Sequence, residues 1–288
     1  MTWKSWLDQR GLAARRRACR LHPASVFTDS YGIRYRIELA NALDKELLRT
    51  RGQIDAAVEW CRTTLDRGSV AFDIGANAGY WTLPLAQISR RVIAFEPDPN
   101  MRGKLVHNLA LNPGLAGKVA VREQAVSETS GEATLHIRRV VDGDALVNTG
   151  ISSLISSTYL QSDCTVPTLA LDDIAEEFDD ARIGFIKIDV EGAESLAIRG
   201  ALRTLRRHAP LLHWEAAYSL DEAASSSNCD ETLSLLNDCG YAHFAVLNDA
   251  STRPICTADD LRDVGYDVNI LSTTGAAQVP PRLMWLGR

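Results

Sequence analysis

The chain has 288 residues, is 45% hydrophobic and carries a formal net charge of −6. This composition predicts a folded protein with one large core and excludes a disordered chain. The negative charge argues against a nonspecific nucleic-acid binder, and no apolar run approaches the length of a membrane span. We therefore expect neither a nucleic-acid partner nor stable insertion into a membrane.

Six cysteines are scattered along the sequence without a C-x-x-C pair or neighbouring histidines. This spacing is atypical of zinc sites, so we predict no metal site and reduced thiols. The alternative is a hard cation bound by Asp189, Glu191 and Glu215, if these three carboxylates converge. The first residues include Lys4 and Arg10 but no uninterrupted apolar core. We therefore expect no signal peptide and a cytoplasmic location.

Residues 1–67 are predicted to form an N-terminal extension. Residues 1–20 have the composition of a basic helix. We interpret it as an arm packed on the core or on the second subunit of a homodimer, with a membrane-surface helix as the alternative. Two alternating runs, Val26–Thr28 and Ile33–Ile37, flank turn residues and predict a hairpin. Apolar residues at helical spacing then predict a helix over about 44–66.

From residue 68 to residue 288, apolar runs alternate with helical stretches, which is typical of an α/β sheet with buried parallel strands. Pro84 interrupts the first helix, which predicts either a late start or a kink. The predicted strands are 70–74, 92–96, 119–123, 183–188 and 211–215, with a late antiparallel pair at 241–247 and 282–286. The predicted helices are 78–89, 99–111, 170–178 and 193–207.

Residues 127–169 depart from this alternation. They contain one run typical of a strand, 133–137, then a polar stretch and the extended residues 165–169. We predict a two-stranded insertion with a long loop, a kind of segment that is often functional. Ser152 and Ser153 in the polar stretch could reach an acceptor hydroxyl or only cap a turn.

A glycine-rich turn, Gly75-x-Asn77-x-Gly79, follows Asp73, and the next strand ends in Glu96. Such a unit gathers backbone N–H groups and a ribose-binding acid at one sheet edge. The run is one residue shorter than the dinucleotide fingerprint, and Asp73 would repel a pyrophosphate but attract an ammonium group. S-adenosylmethionine has an ammonium group, a ribose and no phosphate, so it is the predicted cofactor. The alternative is that Asp73 only caps the following helix.

A second polar cluster follows the strand predicted over 183–188. Lys187 lies between isoleucines, and carboxylates follow at Asp189, Glu191 and Glu194. The carboxyl end of this strand is expected beside those of the two earlier strands, where ligands bind. Glu191 and Glu194 also suit the dipole of the next helix, an effect of about 0.3–1 kcal/mol each, whereas Asp189 fits this explanation less well. A buried Lys187 would need a carboxylate partner.

The motifs occur in a fixed order along the chain. They are Phe72–Tyr80 (FDIGANAGY), Phe95–Pro97 (FEP), Leu105 and Asn108, Gly150-x-Ser152-Ser153-Leu154, Leu171–Asp173, Ile186–Glu194 (IKIDVEGAE) and Gly200–Ala201. This order resembles the FkbM family of methyltransferases that use S-adenosylmethionine, over roughly residues 68–215. The resemblance implies a class I methyltransferase fold, which is a Rossmann-like, seven-stranded, mostly parallel sheet with helices on both faces. It also implies O-methylation of a hydroxyl, often on a sugar or a secondary metabolite.

The resemblance assigns roles residue by residue. It implies that the turn lines the methionine side of the cofactor, that Glu96 holds the ribose hydroxyls and that the residues after the third strand touch adenine. The cofactor-binding residues expected in this way are Asp73, Gly75, Ala76, Asn77, Gly79, Glu96, Pro97, Gln124, Ala125 and Val126.

Methyl transfer to an alcohol needs alignment of the reacting atoms and a base for the hydroxyl proton. Our hypothesis is that Asp189 or Glu191 orients the hydroxyl and takes its proton, while Lys187 holds that carboxylate or tunes its pKa. His213 and Glu215, at the end of the next strand, are second candidates. A core histidine with a satisfied hydrogen bond explains His213 equally well.

Two other functions fit parts of the sequence. Glu96 lies about twenty residues beyond the turn, as in an NAD-dependent oxidoreductase, although the short turn argues against one. A non-catalytic protein that binds S-adenosylmethionine is the other alternative, and the intact Asp189 and Glu191 pair disfavours it. The expected partner is a small-molecule acceptor with a hydroxyl on a sugar, a glycolipid or a natural product.

Overall fold

A computed structural model describes residues 25–38, 41–52, 56–142, 145–156, 162–178, 180–216, 222–246 and 268–275. The arm expected at 1–20 and the strand expected at 282–286 lie outside these residues. Within the described ranges, no helix combines the length and the apolar character needed to cross a membrane.

The elements alternate between strands and helices along most of the described chain. The strands are β1 (Ser25–Thr28), β2 (Arg34–Ile37), β3 (Val70–Ile74), β4 (Arg91–Phe95), β5 (Val119–Arg122), β6 (Ala125–Val126), β7 (Gly131–Asp142), β8 (Ala145–Ser153), β9 (Ser162–Leu169), β10 (Ile183–Ile188), β11 (Leu211–Ala216), β12 (His243–Val246) and β13 (Val268–Thr273). The helices are α1 (Ala42–Arg49), α2 (Ala56–Thr64), α3 (Thr82–Ile88), α4 (Pro99–Leu111), α5 (Pro113–Ala116), α6 (Glu194–Arg199), α7 (Leu202–His208) and α8 (Glu222–Asp238).

The main sheet has seven strands in the order β12-β13-β11-β10-β3-β4-β5. Strands β3, β4, β5, β10 and β11 run parallel, whereas β13 is antiparallel to both of its neighbours. The predicted α/β class is confirmed, with a mixed sheet. The five predicted parallel strands are confirmed to within one residue. Strands β3, β4, β10 and β11 are almost entirely buried, as expected of parallel strands covered on both faces.

The predicted insertion is wrong in its details. Strands β7, β8 and β9 form a four-stranded sheet with the short β6, in the order β6-β9-β7-β8. The polar stretch expected to be a loop is strand β8, which pairs with β7 so that Ser152 lies opposite Ile137. Strand pairing across the insertion supplies the backbone hydrogen bonds that the weak apolar pattern did not indicate.

Three predicted helices differ from the structure. The single helix expected over 44–66 is divided into α1 and α2, and Arg51 and Gly52 follow α1 with φ of 57° and 96°. The helix expected over 193–207 is divided at Gly200, where a Cβ would lie 2.0 Å from the Ser127 carbonyl oxygen. Residues 170–178 form two short 3₁₀ turns instead of an α-helix.

Helices α3 and α8 complete the comparison with the sequence. Pro84 lies in the first turn of α3, so the late start is confirmed. Helix α8 was not predicted, because its serines and alanines give little helical periodicity.

The N-terminal segment, defined here as residues 25–38 and 41–49, packs into the core of the main sheet. The buried residues Ile33, Tyr35 and Leu47 share one apolar cluster with Ala78 of the glycine-rich turn and Leu105 of α4. The segment therefore lies against the elements that carry the predicted cofactor residues.

Candidate active site

The register of the main sheet places several polar residues on one face. Asp73 pairs with Lys187, and Lys187 pairs with His213, so these side chains point to the same face. Asp189 and Glu215 lie two residues further along and point the same way. The polar cluster therefore lies where three neighbouring parallel strands end.

The glycine-rich turn requires a residue without a side chain at position 75. Gly75 has a φ of 77°, and a Cβ there would lie 1.8 Å from the Asp189 carbonyl oxygen. The backbone N–H groups of Gly75 and Ala76 both donate to the Phe95 carbonyl, at 3.0 Å. The turn therefore fits against the ends of β4 and β10 only because residue 75 is glycine.

Glu96 fixes the turn from the other side. Its carboxylate accepts hydrogen bonds from the Asn77 N–H at 2.6 Å and from the Asp98 N–H at 2.9 Å. The residue is 4% exposed. Burial raises the pKa of Glu96 to about 7, although the two N–H donors oppose this effect.

Lys187 joins the turn to the acids that follow β10. Its ammonium donates to the Gly75 carbonyl at 2.8 Å and lies 3.0 Å from Asp189 Oδ2 and 3.7 Å from Asp73 Oδ1. Burial acts to lower the pKa of Lys187, but Asp189 and Asp73 outweigh it and hold the pKa above its usual value. The lysine is therefore a permanent cation beneath the site.

Asp73 is fully buried and accepts a hydrogen bond from the Thr82 hydroxyl at 2.5 Å. Its burial raises the pKa of the carboxyl, while Lys187 acts in the opposite direction. Asp73 thus supports Lys187 and the turn from below.

Three carboxylates converge above Lys187. Oxygen atoms of Asp189, Glu191 and Glu215 all lie within 4.8 Å of one another. The Asp189 side chain is 37% exposed, and the nearby Lys187 outweighs the effect of burial and holds the pKa of Asp189 below its usual value. The charge of Asp189, assisted by burial, raises the pKa of Glu215. The two shifts favour an ionised Asp189 beside a protonated Glu215.

The triad also has the donor type that hard cations prefer. Three carboxylate oxygens are fewer than the six or more ligands that Mg²⁺ and Ca²⁺ take, so water or a ligand would have to supply the rest. The absence of a metal site stays a prediction.

A cleft of ≈ 250 Å³ opens at the carboxyl ends of β3, β4, β10 and β11. Its lining includes Gly75, Asn77, Glu96, Pro97 and residues 124–126 of the predicted cofactor set. The three converging acids and the insertion residues 152–154 also line it. The structure thus brings most of the predicted residues to one cavity.

Five predicted residues are not among those that line this cleft. Asp73 and Lys187 lie beneath it, and Ala76 and Gly79 are within or behind the turn. His213 is 1% exposed, with its ring 4.6 Å from that of Trp81. These residues shape the cleft from behind.

Leu43, Leu135, Val190 and Ala193 line the cleft but were not predicted. Each is apolar and lies in or near an element with an ordinary apolar pattern. The sequence therefore did not distinguish these four residues from core residues. Leu43 comes from the N-terminal segment, and only the tertiary fold brings it to the cleft.

The model of the methyltransferase FkbM domain matches residues 73–242. No curated protein matches the sequence.

Several solved structures match this chain at low sequence identity. Methyltransferase FkbM from Methylobacillus flagellatus KT is 19% identical over 80% of this chain and 52% of its own, with a TM-score of 0.46. This chain thus spans about half the length of that protein. A putative O-methyltransferase from Klebsiella pneumoniae is 16% identical over 78% of this chain and 80% of its own, with a TM-score of 0.44. A putative methyltransferase from Streptococcus mutans in complex with SAH is 12% identical over 75% of this chain and 94% of its own, with a TM-score of 0.41.

Proposed function

Because the chain belongs to the FkbM methyltransferase family, we propose that it transfers a methyl group from S-adenosylmethionine to a hydroxyl group. The acceptor is a small molecule such as a sugar, a glycolipid or a natural product. One observation carries the proposal. Asp189 lines the same cleft as the glycine-rich turn and Glu96, and the Lys187 ammonium lies beneath it, 3.0 Å from Asp189 Oδ2.

The residues of the cleft fit an adenosyl group. Glu96 presents a buried carboxylate that can accept from ribose hydroxyls. Gln124 Oε1 is shielded from water and has no hydrogen-bond partner among the described residues, so it suits the amino group of adenine. Phe95 and Val126 supply apolar walls for a flat ring.

The charges of the cleft favour this cofactor over a dinucleotide. Glu96, Asp189 and Glu191 line it, and no lysine or arginine of the described residues does. A pyrophosphate would be repelled, whereas ammonium and sulfonium groups would be attracted. When bound, S-adenosylmethionine supplies a methyl group on a positively charged sulfur.

Asp189 acts as the base in this proposal. Its ionised carboxylate accepts a hydrogen bond from the acceptor hydroxyl, orients it and takes its proton. Lys187 fixes one oxygen of Asp189 at 3.0 Å. The charge of Asp189 raises the pKa of Glu215 and favours its protonated form, in which Glu215 does not compete for the same role.

Glu191 is the second candidate for the base. It lines the cleft within 4.8 Å of Asp189 and has a φ of 56°, which is uncommon for a residue with a side chain. His213 is less suitable, because it is almost fully buried and is not among the cleft-lining residues.

Methyl transfer to a panel of monosaccharides, alkyl glycosides and cyclic diols tests the proposal. Mass spectrometry would identify O-methylated products. We expect Asp189→Asn to lower kcat by about 100-fold or more, with the affinity for S-adenosylhomocysteine changed by no more than a few-fold. Glu132→Gln, on the exposed surface of β7, is the matched control and should keep full activity. Near-normal turnover in both Asp189→Asn and Glu191→Gln would contradict the assignment.

A further inference from the structure

A buried polar network joins helix α1 to the glycine-rich turn. Asp44 of α1 is fully buried and accepts hydrogen bonds from the Tyr80 hydroxyl at 2.6 Å and the Glu38 N–H at 2.7 Å. It also forms an ion pair with Lys104 of α4, which is 6% exposed. Burying the two charges of such a pair costs desolvation energy. What the pair supplies is therefore a fixed position of α1 against α4.

A second set of hydrogen bonds holds β2 on the same elements. Asn108 of α4 is fully buried, donates to the Ala78 carbonyl at 2.8 Å and accepts from the Arg36 N–H at 2.8 Å. Asn112, one helical turn later, accepts from the Arg34 N–H at 2.9 Å and donates to the Arg34 carbonyl at 2.7 Å. One asparagine thus bonds both the N-terminal segment and the turn.

Leu43 is the residue that this arrangement brings to the cleft. It immediately precedes Asp44, and its N–H donates at 2.9 Å to Asn41, which caps the start of α1. The side chain is half-buried, packs on the cluster that contains Ala76 and Ala78, and lines the same cleft as Asn77.

We propose that the N-terminal segment forms one wall of the cofactor site, in which Leu43 packs against the bound cofactor and Asp44 positions Leu43. This inference rests on the proposed function, because it takes the cleft to hold S-adenosylmethionine. It goes beyond the family match, which begins at residue 73 and does not include the segment.

Calorimetric titration with S-adenosylhomocysteine tests the role of Leu43. Leu43→Ala should weaken binding about tenfold, because apolar contact area with the ligand is lost. Leu233→Ala is the matched control. Leu233 lies in α8, outside the N-terminal segment, is 4% exposed and is not among the cleft-lining residues. It should lower Tm without changing Kd.

Tyr80→Phe tests the positioning role of Asp44 with a milder change. It removes one hydrogen bond to Asp44 and leaves the ion pair with Lys104 in place. We expect Kd to rise a few-fold in a folded protein. Equal Kd values for the wild type, Leu43→Ala and Tyr80→Phe would overturn this inference alone. Failure of the wild type to bind S-adenosylhomocysteine would overturn the proposed function.

Discussion

The ammonium of Lys187 lies 3.0 Å from Asp189 Oδ2. The two residues flank Ile188, the last residue of β10. The same ammonium donates to Gly75, 112 positions earlier in the chain. One buried cation therefore fixes the carboxylate that we assign as the base and the turn that we assign to the cofactor.

Replacement of Lys187 by methionine should reduce stability. The variant leaves Asp73 buried without its cation, and breaking a buried ion pair typically costs about 3–5 kcal/mol. Equilibrium unfolding in urea measures the change. The double variant Lys187→Met/Asp73→Asn should recover part of the loss, because the unpaired charge is gone. A change below about 1 kcal/mol in Lys187→Met would contradict this account of the cluster.

Two glycines with positive φ, Gly75 in the turn and Gly192 after β10, allow a comparison. Gly75→Ala should destabilise the protein and abolish binding of S-adenosylhomocysteine, because its Cβ would lie 1.8 Å from a backbone oxygen of Asp189. Gly192 has a φ of 98°, but nothing lies within 4 Å of a Cβ there. Gly192→Ala is thus the control for backbone strain, which costs about 1–2 kcal/mol. Equal losses in the two variants would show that close packing at Gly75 is unimportant.

The protonation of Glu96 predicts a pH dependence of ligand binding. Burial raises the pKa of Glu96 from 4.5 to about 7, so the carboxyl is partly protonated near neutral pH. An ionised carboxylate is the better acceptor for ribose hydroxyls. The affinity for S-adenosylhomocysteine should therefore rise as the pH increases through about 7. Glu96→Gln should bind more weakly and without this dependence.

The raised pKa of Glu96 also makes the stability of the protein depend on pH, but stability falls as the pH rises, whereas ligand affinity increases. Between pH 4.5 and about 7, the folded protein holds more protons at Glu96 than the unfolded chain. The contribution of Glu96 to the free energy of unfolding is therefore fully present below pH 4.5 and is lost as the pH rises through about 7. Urea unfolding of the wild type and Glu96→Gln at several pH values measures it. The free energy of unfolding of the wild type should rise relative to that of Glu96→Gln as the pH falls. The opposite trend, in which the glutamine variant gains stability over the wild type at low pH, would be contrary to this prediction.

Glu215 should tolerate glutamine better than alanine. The negative charge of Asp189 raises the pKa of Glu215 and keeps it protonated, and a glutamine side chain also carries a hydrogen-bond donor. We expect Glu215→Gln to keep kcat within about tenfold of the wild type, with Glu215→Ala lower. Loss of activity in Glu215→Gln comparable to that in Asp189→Asn would instead identify Glu215 as an ionised base.

The central strands could be predicted because their sequence pattern is local. Residues 70–74 and 183–188 are apolar runs with one polar residue, Asp73 or Lys187, next to the last position, and parallel strands gather such ends at one sheet edge. That rule predicts Asp189 near the ends of the two earlier strands, whereas the convergence of Asp189 with Glu191 and Glu215 comes from the structure. The sheet topology then explains why Lys187 has a carboxylate partner.

The other features depend on contacts between distant parts of the chain. The bond between Asp44 and Lys104 joins positions 60 residues apart, and neither residue type indicates a buried pair by itself. Strand β8 is stabilised by pairing with β7, which its polar sequence did not indicate. Asp73 was expected to line the cleft, but in the structure its carboxylate bonds to Thr82 beneath the cleft.

The most direct test of the central claim is a calorimetric titration of the wild-type protein with S-adenosylhomocysteine and, separately, with NAD. The account predicts saturable binding of S-adenosylhomocysteine and none of NAD, because carboxylates line the cleft and would repel a pyrophosphate. Binding of NAD without binding of S-adenosylhomocysteine would contradict it.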